Sequence, residues 1–247
     1  MLAPYLAAMQ QRTSHRYLTA HPLPCGELAS NILVVTLPRV GRTLLRDAAY
    51  EAIRDAIVRA DIPPGAVVSN AAVAEQLGLS RAPVRDALAR LADEGLVETK
   101  PQSYTRVTPL ELNEVRDAAA VVRAMHELAT RTAVPLLTGG HVEAMRTANR
   151  RFAAAARGGD VDAAMDRDDE LHGTLVSVCG NRAVTATIER YTPLIRRLER
   201  RQFSSAQARR SVERHDELIA ACAAGDVERA TAVTARIWES LENLASL

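Results

Sequence analysis

Along residues 44–60 (LLRDAAYEAIRDAIVRA) apolar side chains recur every three or four positions, with Leu45, Ala49, Ile53 and Ile57 on one face. That period predicts an amphipathic helix. Asp61-Ile62-Pro63-Pro64-Gly65 breaks it. Residues 71–77 (AAVAEQL) form a short second helix pattern with Ser69 or Asn70 as cap, and residues 80–94 form a third. In the third, Val84, Ala87, Leu88 and Leu91 share a stripe, Ser80 is the N-cap, Pro83 falls in the first turn, and Gly95 stops the helix. Residues 96–100 and 105–108 pair as a hairpin around Pro101-Gln102-Ser103.

Beyond Pro109 the pattern is helical only. It predicts helices at 111–137, 139–157, 160–178, 181–203, 206–224 and 227–245, with Gly-Asp and Gly-Asn joints between several of them. The expected fold is mainly α: a winged helix-turn-helix over 43–108, then an all-α bundle of about six helices over 109–247. Residues 1–42 hold four prolines and one short apolar run at 32–37 that reads as an added strand or, better, as part of a loose arm.

Composition narrows the class. Length suits two domains, and aromatics are only 3% of 247 residues, so the cores rest on Ala, Leu and Val. With 31 basic and 30 acidic residues the net charge is +1, so only local placement argues for nucleic acid. Cys25, Cys179 and Cys222 are scattered and odd in number, which predicts reduced thiols and a cytoplasmic protein. No apolar run approaches the roughly 20 residues of a membrane span, and no signal peptide is evident.

Arg81 and Arg85 stand one turn apart at the start of the second helix-turn-helix helix, off the apolar stripe. In this motif that end enters the major groove, so the two arginines sit at base edges or phosphates. On the hairpin, Lys100 and Arg106 are placed for flanking phosphates. In the bundle, Asp168 and His172 are spaced i, i+4, and His215 lies on a later helix. Together they make a ligand set for Zn²⁺, Mn²⁺ or Ni²⁺. Arg123, with Glu127 one turn on, supplies a fork for an effector carboxylate. Surface charge and helix-stabilising pairs are the plain alternatives for these spacings.

Residues 44–108 resemble the DNA-binding domain of the GntR family of bacterial regulators, carried by the Ile-Pro-Pro-Gly turn, the LGLSRAPVRDALARL core and the wing, and the resemblance implies that Arg81 and Arg85 contact DNA with Ser80 supporting. The family often has arginine where this chain has Ala71, and glycine where it has Gln102. The bundle resembles the FCD ligand-binding domain: Arg123 and Glu127, the stretch from Asp168 to Asn181, and that from His215 to Asp226 carry the match. That resemblance implies a metal-dependent sensor of small organic acids with one Asp and three His. The third histidine falls near Ile237, where the chain reads Ala235-Arg236-Ile237-Trp238. One imidazole is therefore missing, and His126 is the candidate to replace it.

The expected function is a homodimeric repressor that binds an inverted-repeat operator in double-stranded DNA and answers to a small carboxylate, with a divalent ion. The rivals are a metal-dependent hydrolytic enzyme and a bundle that serves only dimerisation.

Overall fold

The computed structural model describes residues 41–100 and 103–244. The expected arm at 1–42, with its apolar run at 32–37, lies outside the described residues except for its last two positions, as do Pro101 and Gln102 of the wing turn.

Helix α1 (Gly41–Val58) presents Ala49, Tyr50, Ile53 and Ile57 to the core. Leu45 departs from the expected face and is 46% exposed, while Tyr50 takes the inward place next to Ala49. Ala60, at φ 63°, turns the chain out of α1. Residues 65–68 then run beside the wing, where Val68 N–H donates to Thr105 O at 2.8 Å and Val107 N–H to Ala66 O at 3.0 Å.

Helix α2 (Asn70–Gln76) starts at Ser69, whose hydroxyl accepts from Ala72 N–H at 3.4 Å. Gly78 at φ +63° makes the corner, and Leu79 packs against the core. Helix α3 (Arg81–Asp93) buries the stripe read from sequence, Val84, Ala87, Leu88 and Leu91. Burying a leucine such as Leu91 contributes about 1.5–3 kcal/mol. Strands β1 (Val97–Lys100) and β2 (Tyr104–Val107) pair antiparallel with Val97 opposite Val107 and Lys100 opposite Tyr104.

The bundle holds α4 (Leu112–Ala133), α5 (Gly139–Gly158), α6 (Val161–Cys179), α7 (Arg182–Gln202), α8 (Ser205–Ala223) and α9 (Val227–Leu244). The first is shorter than the pattern predicts: after Ala133 the chain tightens into a 3₁₀ turn over Val134–Leu136, where Pro135 has no N–H to continue an α-helix. Asp160 and Asn181 cap α6 and α7 as the sequence predicts.

One apolar cluster joins the two halves. It runs from Ile53, Leu91, Leu96 and Val107 of the winged helix to Val115, Val122, Leu194, Ile195, Leu198 and Trp238 of the bundle. Polar contacts follow the same seam, all from α7. Arg190 donates to Asp93 O, at the end of α3, at 2.6 Å. Arg197 donates to Thr108 O at 2.7 Å, and Thr108 Oγ1 donates in turn to Gly95 O at 2.7 Å.

Candidate functional site

Of the residues expected to face DNA, Ser80, Arg81, Arg85 and Lys100 are exposed and Arg106 is half-buried. Arg81 and Arg85 lie in the first turns of α3, and the Arg85 side chain is 70% exposed, with Asp86 beside it at 3.5 Å. Ser80 occupies the N-cap position, yet its side chain makes no cap hydrogen bond. Lys100 is exposed at the end of β1. Arg106 is more constrained: its guanidinium lies 4.1 Å over the Tyr104 ring, and its Nε is 3.7 Å from Glu98 Oε1. Ala71 is exposed. Arg90, which sequence reasoning did not single out, lies against α1 with its side chain still 47% exposed. It stacks 3.6 Å over Tyr50 and pairs with Glu94, whose other oxygen accepts from Tyr50 at 2.7 Å.

The bundle cluster is buried. Helix α6 supplies Asp168 and His172 from one face, and α8 brings His215 across to them. The three ligand atoms all lie within 4.8 Å of one another. Asp168 Oδ1 is 3.3 Å from His215 Nε2 and 3.9 Å from His172 Nε2.

The tautomer of His215 is set by Asn149, a residue with no sequence signature. Asn149 Nδ2 donates to Val212 O and Asp216 Oδ1, so its Oδ1 accepts from His215 Nδ1–H at 3.0 Å. With Nδ1 so engaged, Nε2 is the ring nitrogen turned toward Asp168, placed either to donate to that carboxylate or to share a cation with it. Burial lowers His172 to about 4, against the pull of Asp168, so its ring is neutral at pH 7. Burial likewise holds His126 well below the usual range. These side chains fit a divalent ion with three protein ligands and an open position.

An indole stands beside the cluster. Trp238 stacks on His126 at 4.4 Å between centroids and stands 5.8 Å from His172. His126 is thus brought to the cluster's edge, in stacking contact rather than among the three converging ligand atoms.

Arg196 of α7 is the other unforeseen member. It donates to Asp168 Oδ2 at 2.7 Å and to Glu199 Oε2 at 2.7 Å, and it pairs with Asp169. Its only sequence signal is an i, i+3 spacing to Glu199 within a basic run. Burial opposes the charge on Asp168, but Arg196 and the imidazoles outweigh it and hold that carboxyl well below the usual range. Glu199 goes the other way: burial pushes it up to about 7, and Asp168 and Asp169 add to the rise against Arg196.

Arg123 is not brought to this cluster. Its guanidinium pairs with Glu127 at 3.6 Å and with Glu239 of α9 at 3.3 Å. A cavity of about 1280 Å³ opens beside the cluster, with His126, His172, Arg196 and Trp238 on one wall and Tyr50, Arg54 and Val58 of α1 on the other. Arg123 does not line it.

Residues 45–107 match the bacterial regulatory proteins of the gntR family, and residues 117–240 match the FCD domain. The chain is a GntR-family regulator of the FCD type. This regulator is 32% identical over 169 residues to an HTH-type transcriptional regulator in the TAR-I ttuE-ttuC' intergenic region of Agrobacterium vitis, covering 64% of this chain and 90% of that one. It is 27% identical over 195 residues to the probable D-xylose utilization operon transcriptional repressor of Paenarthrobacter nicotinovorans, covering 79% and 86%. E. coli McbR/YncC shares the fold, with a TM-score of 0.73 at 20% identity over 82% of this chain and 97% of that one. The GntR-family assignment makes this chain a DNA-binding transcriptional regulator. Among the described residues no helix is long and apolar enough to cross a membrane.

Proposed function

We propose that the chain is a repressor, acting in the cytoplasm as a homodimer on an inverted-repeat operator, whose bundle senses a small carboxylate and sets operator affinity. The observation that carries this is on α7. Consecutive arginines face opposite tasks there: Arg196 grips Asp168 in the buried cluster, and Arg197 grips Thr108 at the root of the wing. Any shift of α7 within the cluster therefore reaches the reading head directly, through Arg197 and through Arg190 at the end of α3. A ligand acts through such a link only by binding the DNA-competent and incompetent arrangements with different affinity.

Asp168, His172 and His215 would hold a divalent ion, which supplies a Lewis-acidic position for an effector oxygen. Asn149 orients His215, and Arg196 fixes Asp168. Arg123, through Glu239, ties the first bundle helix to the last, and in this reading it braces the bundle around the effector. Repression agrees with the role named for one relative, the probable D-xylose utilization operon transcriptional repressor of Paenarthrobacter nicotinovorans. An enzymatic role has less support: the matched relatives are transcriptional regulators, and every carboxylate at the cluster is already paired with Arg196.

The test uses a duplex selected from random sequence by the full-length protein. Its affinity should change at least tenfold when chelated protein is resupplied with Zn²⁺ or Mn²⁺ and small carboxylates, and Arg197→Met should lose that response while still binding DNA. A response identical to wild type in Arg197→Met removes α7 as the link. An operator affinity indifferent to every metal and acid leaves the bundle as a dimerisation module.

A further inference from the structure

Helix α4 carries more apolar surface than the bundle buries. Its inner face holds Val115, Ala119, Val122, His126, Ala129 and Ala133. The outer face of such a helix is ordinarily charged or polar. On α4 the middle of that face is apolar instead: Ala120, Val121, Ala124 and Leu128 fall within about 100° of one another around the axis. Val121 is 40% exposed and Leu128 42%, and Ala124 is exposed between them. Asp117 closes this stripe at one end and Arg131 at the other, both exposed. The Arg131 guanidinium has no partner among the described residues.

The order of these residues decides what can cover them. Asp117 and Arg131 each lie seven positions from Ala124, about two turns or 10.5 Å along the axis. A second copy turned by 180° about a line through Ala124, perpendicular to α4, lies antiparallel on the first. Asp117 then meets the partner's Arg131, Arg131 meets the partner's Asp117, and Val121 comes opposite the partner's Leu128. Two-fold interfaces have this property, since a contact of one residue with another is repeated in reverse. Alanine at the crossing lets the two backbones approach closely. A parallel copy would instead bring like charges together at both ends.

We infer that the outer stripe of α4 is the seam of the homodimer, packed antiparallel on α4 of a second copy with the crossing at Ala124. This rests on the homodimer reading above and names its interface. Leu112, the first residue of α4, follows Thr108 at the root of the wing by four positions. The crossing of the two α4 helices therefore sets how far apart the winged helices stand, and with it the half-site spacing of the operator.

Sedimentation equilibrium of the full-length protein at low salt tests this. Asp117→Arg and Arg131→Asp each turn both end contacts into like-charge pairs, and each should raise the dimer dissociation constant roughly tenfold or more. Leu128→Asp, which puts charge into the apolar middle, should do the same. The double variant Asp117→Arg/Arg131→Asp should restore the wild-type constant. So should an equal mixture of the two single variants, because each chain then faces opposite charge at both ends of the seam. All three positions are exposed in the single chain, so far-UV circular dichroism should show unchanged helicity.

A wild-type dimer indifferent to all three single substitutions is held by another face. That result overturns the α4 seam, leaves the homodimer reading standing, and frees the stripe for a partner of a different kind. Weakening by the single reversals that neither the double variant nor the mixture relieves also overturns it, because Asp117 and Arg131 would not then be facing each other. A wild-type chain that stays monomeric at every concentration overturns the homodimer reading and the seam with it. Restoration in the mixture supports the seam without relying on the fold of any one variant, since only the pairing of the two chains has changed.

Discussion

Arg85 and Arg196 are the same side chain in opposite surroundings. Arg85 is 70% exposed, and its nearest carboxylate is a sequence neighbour at 3.5 Å. Arg196 is 9% exposed and holds three carboxylates from two helices. The first is left unspent by the fold, and so is available to phosphates or base edges. The second is spent entirely within the fold, where it offsets buried negative charge. Burial thus separates an arginine left open to another molecule from one committed to the fold.

The largest effect should come from emptying the buried end of that contrast. Arg196→Met leaves Asp168, Asp169 and Glu199 without their cation, and removing one partner of a buried network costs about 3–5 kcal/mol. Denaturant unfolding of the chelated protein measures it. A cost below about 1 kcal/mol would mean that water already reaches the carboxylates, and the contrast between the two arginines would collapse.

At the open end the expectation inverts. Arg81→Ala or Arg85→Ala should change unfolding free energy by no more than about 0.5 kcal/mol. Operator binding should weaken by about 1–3 kcal/mol where the contact is a bidentate base pair. Gel-shift affinity unchanged in both variants removes α3 as the reading helix.

These two ends were not equally legible in the sequence. The exposed end was: the apolar stripe of α3 fixes which face is inward, so Arg81 and Arg85 follow as outward by elimination. Asp168 and His172 were legible for the same reason, since an i, i+4 spacing puts them on one helix face. What escaped was everything that depends on a second helix. Arg196 belongs to a basic run that reads as solvated surface, and only the packing of α7 on α6 brings it to Asp168. Asn149 lies in α5 and meets His215 across 66 residues. Arg123 shows the converse, since its spacing to Glu127 was read from one helix and its pair with Glu239 comes from another. The tapered end of the first bundle helix was missed too, because Pro135 tightens the last turn instead of stopping it earlier.

Glu199 sharpens the comparison with pH. Its carboxyl ordinarily titrates near 4.5 and is pushed up to about 7 in the fold. The folded state therefore binds this proton more tightly than the unfolded chain does. The sign follows: its contribution to stability is present below about 4.5, is lost as pH rises toward about 7, and changes no further above that. Glu199→Gln should remove that part of the pH profile. The melting midpoint of the chelated variant, relative to wild type, should rise by a few degrees between pH 5 and pH 8. A difference that stays constant over this range would show Glu199 ionised throughout, held by Arg196 as an ordinary ion pair.

The smallest expected effect concerns two serines in the same local role. Ser69 caps α2 by accepting from Ala72 N–H at 3.4 Å, whereas Ser80 stands at the N-cap of α3 without such a bond. A working serine cap is worth about 1 kcal/mol. Ser80 lacks the contact that would deliver this, so Ser80→Ala should change unfolding free energy by less than about 0.5 kcal/mol. Ser80 stands exposed next to Arg81 at the end of α3 proposed to meet DNA, where the hydroxyl is placed to donate to a phosphate oxygen. Ser80→Ala should therefore weaken operator binding by about 0.5–1.5 kcal/mol, a loss found equally with every duplex sequence because a phosphate contact carries no base information. The opposite result, about 1 kcal/mol lost in unfolding and none in DNA binding, would show that the hydroxyl serves the helix and not the operator. Ser80 would then stand with Arg196 among the side chains that the fold keeps for itself.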